Sequence, residues 1–187
     1  VIWPPIRVQA PVQRPVTLDA AREQCRVTHL AHDNVLLEHL DAAISALDGW
    51  NGILGRCLID QVWRVRFDGW SSALSVAMPG GSAAVLRYLD QDLTEQTVDP
   101  GAWRLLSDDR STTVWLRPEF VAPAVADVPG AIWVDFTLGY GAEGAAVPAA
   151  LRAAIRMHVS ALYDGLPDEE WRSHYLALIA PHRVTGV

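Results

Sequence analysis

The chain has 187 residues, a formal net charge of −7, and half of its residues are hydrophobic. That length suits one domain, or two small ones sharing a core, and can bury about 70% of the unfolded surface without a metal or disulfide. The acidic balance argues against a nucleic-acid-binding face, and no apolar run reaches the ~18 residues of a membrane helix.

All 15 basic residues are arginine; with the abundant alanine this reads as codon bias of a GC-rich genome. Cys25 and Cys57 read as free thiols of a reducing compartment, with a disulfide as the alternative. The chain begins at Val1, without an initiator Met, so a processed or trimmed chain is expected. Residues 1–16 carry four prolines and no apolar core, which is not the pattern of a signal peptide. They read as an extended arm. Its Ile2, Trp3, Ile6 and Val8 must pack either on their own domain or on a neighbour, and both readings stand.

Thr17 is placed to cap a helix over Leu18–Val27, and Asp33 to cap a longer one. In the second, Leu36, Leu40, Ile44 and Leu47 share one face, and Gly55 is the expected stop. The period then changes to two. Strands are expected over Leu58–Phe67, Ala73–Ala77, Ala84–Leu89, Thr94–Val98, Trp103–Leu106, Thr112–Leu116 and Ile132–Leu138, separated by turn signals such as Asp68-Gly69 and Pro79-Gly80-Gly81. In the last of them Ile132, Val134, Phe136 and Leu138 alternate with Trp133, Asp135 and Thr137, the pattern of one buried face. Gly139-Tyr140-Gly141 reads as a hinge needing positive φ. Pro148 opens a helix to Asp164 with Leu151, Ile155, Val159 and Leu162 as its stripe, expected against the stripe of the second helix. After Gly165-Leu166-Pro167, Asp168 opens a short helix holding Trp171, Tyr175 and Leu178, and Pro181 stops it.

The expected fold is therefore α+β: N- and C-terminal helices in a small bundle, with an inserted antiparallel β-sandwich or barrel-like sheet. The boundaries are an arm at 1–16, a helical body at 17–56 and 147–180, a β lobe at 57–141 and a tail at 181–187.

Little in the chain reads as chemistry. Cys25, His29 and His32 have spacings that could share a helix face around a metal, but no fourth ligand is obvious beyond Asp33 or His39, and a capping cluster is the plainer reading. The glycines at 139 and 141 lack the later glycine and the Lys-Ser/Thr pair of a phosphate loop. No serine-nucleophile motif occurs, and Asp90/Asp92 and Asp108/Asp109 fall in turns, where aspartate serves the backbone. No catalytic, cofactor or metal site is assigned. Of the eight tryptophans, Trp63 shares the apolar phase of its strand, while Trp115 and Trp133 sit opposite theirs and are expected on an outer sheet face.

Several segments, in order, resemble the head–tail connector (adaptor) proteins of long-tailed phages and of phage-derived gene transfer agents. Pro15-Val16-Thr17-Leu18-Asp19-Ala20-Ala21 is similar to their opening, and Asp33-Asn34-Val35-Leu36-Leu37 through Ile44 to their second helix. Gly55-Arg56-Cys57-Leu58 with Gln61-Val62-Trp63 resembles the approach to their sheet, and Tyr88-Leu89-Asp90 their central hairpin. Phe136-Thr137-Leu138-Gly139-Tyr140-Gly141, then Val147-Pro148 and Leu151-Arg152, resembles their strand-to-helix junction. Leu178-Ile179-Ala180-Pro181-His182-Arg183 resembles their ending. The likeness spans Pro15 to Val184. It departs at Gly165-Leu166-Pro167-Asp168, where those proteins often carry an Arg-rich helix end.

The resemblance implies a non-enzymatic ring of twelve copies at the head–tail junction of a virion or virion-like particle, assembled in the bacterial cytoplasm. The ring would dock on the portal protein and extend the DNA channel without binding DNA specifically. It would also receive a tail-side stopper or tail terminator protein, with no membrane and no cofactor involved. It places portal contact at the C-terminal end, for which Trp171, Tyr175, Pro181, His182, Arg183 and Val184 are the candidates. Ile2, Trp3 and Ile6 of the arm are candidates for contact with the neighbouring copy, and Gly139, Tyr140, Gly141 and Pro148 for a structural hinge. The competing reading is a β-sandwich module binding carbohydrate or protein, flanked by helices, which Trp115 and Trp133 side by side on an open face of a monomer would favour.

Overall fold

In the computed structural model, which describes residues 2–184, the Thr17 hydroxyl accepts the Ala20 N–H and so opens the first helix. This helix, α1 (Leu18–Gln24), stops short of Val27 because Arg26 turns into the left-handed region at φ 55°. Helix α2 (Asp33–Leu47) buries Leu36, Leu40, Ala43 and Leu47, with Ile44 half-buried at the stripe's edge. Asp33 does not cap it: its carboxylate is held at two points by the Arg22 guanidinium. Nor does α2 run to Gly55. Gly49 takes a φ of 78°, and a Cβ on Gly52 would lie 2.3 Å from the Leu47 carbonyl oxygen, so the chain folds back there at once.

Helix α3 (Ala149–Asp164) follows Pro148 and ends on Gly165, left-handed at φ 64°. It buries Leu151, Ala154, Ile155, Val159 and Ala161. Leu162, expected in this stripe, is exposed, because the last turn of α3 lies by the polar start of α2, where Tyr163 meets His32. Helix α4 (Asp168–Ile179) continues into a 3₁₀ turn over Ala180–His182, so Pro181 lies inside that turn rather than ending the helix. Leu36, Leu40 and Leu47 share one core with Leu151, Ile155, Val159, Tyr175 and Ile179. Leu58 and Ile59 join that core instead of forming strand. The unit they build comprises Val12–Ile59 and Tyr140–Val184.

Asp60–Gly139 and the arm up to Pro11 form a β unit. Its strands are β1 (Ile6–Gln9), β2 (Gln61–Phe67), β3 (Ala73–Val76), β4 (Gly81–Leu89), β5 (Glu95–Thr97), β6 (Trp103–Ser107), β7 (Thr112–Leu116) and β8 (Ile132–Leu138). They make two antiparallel sheets, ordered β1-β2-β8-β4-β5 and β3-β7-β6, and no closed barrel. Trp63, Val65 and Phe67 of β2 face inward with Leu74 and Val76 of β3 and Val114 and Leu116 of β7, which is sandwich packing. The strand β1 is the element the arm's prolines hid. It pairs with β2, so the arm packs on its own sheet. The other departure is β8, which is buried on both faces rather than one.

The glycine that ends this unit's long segment allows close approach to the aspartate that begins it. A Cβ on Gly139 would lie 2.4 Å from Asp60 Oδ1 and 2.5 Å from its backbone nitrogen. Gly139→Ala should therefore cost about 2–4 kcal/mol, read from urea unfolding. Gly69→Ala, with nothing within 4 Å of its Cβ, should stay within ~0.5 kcal/mol of wild type or stabilise slightly.

Candidate assembly surfaces

The arm lies along the edge of the five-stranded sheet. Ile2 bridges to Phe67, the Trp3 N–H donates to the Arg66 carbonyl, and Trp3 Nε1 donates to Asp68 Oδ1 at 3.0 Å. Anchored in this way, Ile2, Trp3 and Ile6 still expose 63%, 43% and 54% of their surface. An edge strand also leaves a row of backbone donors and acceptors open to pairing.

Across the same sheet, register brings Arg64 opposite Asp135 and Ile6 opposite Arg64. Arg64 donates twice to the Asp135 carboxylate, at 2.7 and 2.9 Å, and Arg87 donates to it from β4 at 2.8 Å while also pairing with Glu95. Trp133, one turn of the pleat away, lies beneath the Arg64 and Arg66 guanidiniums at 5.3 and 5.1 Å. These arginines bury the second face of β8. The alternation of the sequence showed Arg64, Arg66 and Asp135 as outward polar residues; only strand pairing shows that they meet.

At the junction, Gly141 alone of the two hinge glycines takes an unusual φ, 150°; Gly139 is required by its closeness to Asp60. The Tyr140 hydroxyl accepts from Arg56 at 2.8 Å, the Arg56 guanidinium also covers its ring, and its N–H donates to the Leu58 carbonyl. Burial pushes the Tyr140 phenol upward, with Arg56 opposing. Pro148 stands just before α3 as its cap.

At the C-terminal end, Trp171 stacks on His158 with ring centroids 4.9 Å apart, and Tyr175 meets both edge-on. Desolvation pushes the His158 pKa down, partly offset by Asp168. Tyr175 is 3% exposed and its hydroxyl has no partner, so it serves the core and presents no contact surface. Trp171 is half-buried at the rim. Pro181 and Arg183 are exposed, and His182 and Val184 are half-buried. The Val184 N–H donates to the Leu54 carbonyl, pinning the chain's end against the loop after α2. Thr185–Val187 of the expected tail lie outside the described residues.

Several of the residues weighed for chemistry have structural partners. His29 and His32 pack edge to face, and His32 Nδ1 hydrogen-bonds the Tyr163 hydroxyl. Among the described residues no group of three His, Cys, Asp or Glu side chains is arranged to hold a metal, and none of the helices is long and apolar enough to cross a membrane. The Asp90 and Asp108 carboxylates accept N–H groups of their own turns. Trp133 is buried on the five-stranded sheet, whereas Trp115 belongs to the three-stranded one. Trp115 and Trp133 therefore do not form a paired open platform, the observation that would have favoured the binding-module reading: the arginines cover Trp133.

No protein family is matched by the chain's sequence, and no curated protein matches it. Solved structures do. A chain from the neck of an empty gene transfer agent (GTA) particle, computed with C6 symmetry, is 23% identical with a TM-score of 0.81, over 99% of this chain and 97% of that one. A chain from the virion of a native GTA particle is 23% identical with a TM-score of 0.80, over 98% and 96%. A chain from the neck of a native GTA particle, computed with C12 symmetry, is 24% identical with a TM-score of 0.70, over 96% and 97%. From end to end, then, the chain has the fold of a structural component of a phage-like particle. The neck of the gene transfer agent is the particular setting in which that fold is seen, and one of the two to which the sequence motifs pointed.

Two measurements check the geometry. Asp135→Ala leaves Arg64 without its ion-pair partner and Arg87 with Glu95 alone, and because each guanidinium is still about a quarter exposed the loss should be about 2–4 kcal/mol in urea unfolding. The Arg22 guanidinium holds the Asp33 carboxyl below the usual carboxylate range. The pair's contribution is thus complete above that range and is lost as pH falls through the folded-state value. The stability gap between wild type and Arg22→Gln should narrow as pH falls from about 6 to about 3.

Proposed function

We propose that the protein is a structural head–tail adaptor: a ring of copies between the capsid portal and the tail of a phage or gene transfer agent, assembled in the bacterial cytoplasm. The observation that carries this reading is the full-length likeness to a GTA neck chain at TM-score 0.81. The ordered motifs from Pro15 to Val184 support it independently. A neck with C12 symmetry among the neighbours favours twelve copies. The net charge of −7 per copy suits a channel wall, because a negative field discourages DNA from sticking as it passes. The role requires no catalysis and no cofactor.

In this reading the exposed arm residues Ile2, Trp3 and Ile6 meet the neighbouring copy. Trp171, Pro181, His182, Arg183 and Val184 meet the portal protein, and another surface receives the tail-side stopper or tail terminator. Mass measurement of the protein with and without portal rings, followed by imaging, tests the assembly. Rings on the portal are expected, and a monomer that ignores portal rings contradicts the proposal. Deleting Pro181–Val187 should weaken portal binding at least tenfold, and unchanged binding would remove the portal role from this segment.

A further inference from the structure

Arg152 and Arg156 stand one turn apart on α3 and line a groove of about 320 Å³ together with Arg14, Thr17 and Glu143. Arg14 is already engaged by Asp41. The other two are not engaged. The Nε of each is buried without a hydrogen-bond partner, and neither has an ion-pair partner among the described residues. Leaving buried donors unpaired is costly, and a guanidinium edge is shaped to take a carboxylate at two points. The groove therefore calls for an anion. Phosphates of a duplex lie on a convex surface that cannot enter a groove of this size, and Glu143 in the wall opposes a polyanion. Single carboxylate side chains fit both constraints.

An acidic source lies on the chain itself. The first turn of α4 carries Asp168, Glu169 and Glu170, all exposed. Asp168 pairs with Arg172, while Glu169 and Glu170 have no ion-pair partner among the described residues. At about 100° per residue, Arg152 and Arg156 lie roughly 120–160° around α3 from His158, on which Trp171 of α4 stacks. Basic groove and acidic turn thus occupy different flanks of α3, as a head-to-tail contact between identical copies requires. Copies that each carry −7 repel one another unless such complementary patches meet.

We propose that the Arg152–Arg156 groove receives the Glu169 and Glu170 carboxylates of a second copy of this chain. The proposal rests on the ring reading above and names the contact that closes it. The test compares assembly of the full chain, by mass measurement and imaging, across charge variants whose folding is confirmed by circular dichroism. Arg152→Glu with Arg156→Glu, and separately Glu169→Arg with Glu170→Arg, should each raise the concentration for half-assembly at least tenfold. The fourfold variant, with all charges exchanged, should regain most of the loss. Arg152→Gln with Arg156→Gln carries the same expectation should the reversal impair folding. Rings indifferent to these changes overturn the groove contact and leave the ring reading standing. A wild type that forms no ring overturns both. Loss without recovery in the fourfold variant, or salt-sensitive duplex binding that disappears in the arginine variants, overturns the second copy as occupant.

Discussion

Asp135 can lie buried at the middle of the five-stranded sheet only because Arg64 and Arg87 reach it from the strands on either side. That constraint orders the rest of the β unit. A slip of one residue in β2 or β4 would turn that strand's arginine away from Asp135 and toward the apolar interior, so one carboxylate favours the register of both strands on β8. The same arginines, with Arg66, cover Trp133, which lets β8 be apolar on the inner face and still dry on the outer. Beyond this centre, exposed apolar groups gather at the β1 edge, with Val85 of β4 exposed as well. Ile6 lies on β1, and Ile2 and Trp3 precede it, held to Phe67 and Arg66 at the end of β2.

The helical unit is held in a different way, by apolar stripes whose ends are closed by backbone devices. Gly49 and Gly52 fold the chain back beneath α2, and Gly165 turns it between α3 and α4. The polar residues then split into two groups. Arg22 pairs with Asp33 and Arg14 with Asp41, whereas Arg152 and Arg156 have no ion-pair partner among the described residues. The Nε atoms of these two arginines are buried without a hydrogen-bond partner, a feature the proposed contact with a second copy would explain.

Several of the groups weighed for chemistry sit in local structural settings. His32 pairs with Tyr163, the turn aspartates hold their own loops, and Tyr140 is occupied by Arg56. Others lack a hydrogen-bond partner: His158 Nδ1 and the Tyr175 hydroxyl are both buried without one.

What the residues determined alone was whatever depends on neighbours in the chain. The Thr17 cap, the Gly165 stop, the two apolar stripes, and the alternation of β2 and β8 follow from spacing and local hydrogen bonding, so the α+β plan and the helical core were legible. Only the tertiary structure decided what depends on partners far apart. It placed Leu58 and Ile59 in the helical core and not in a strand. It made an edge strand of the proline-rich arm, turned Leu162 outward and Tyr175 inward, and buried both faces of β8. In each case alternation or helical spacing says which residues share a face, while burial depends on what another element brings to that face. The Arg64–Asp135–Arg87 pairing and the unpaired Arg152 and Arg156 belong to the same class, because charge recognition acts across space at separations the local pattern does not encode.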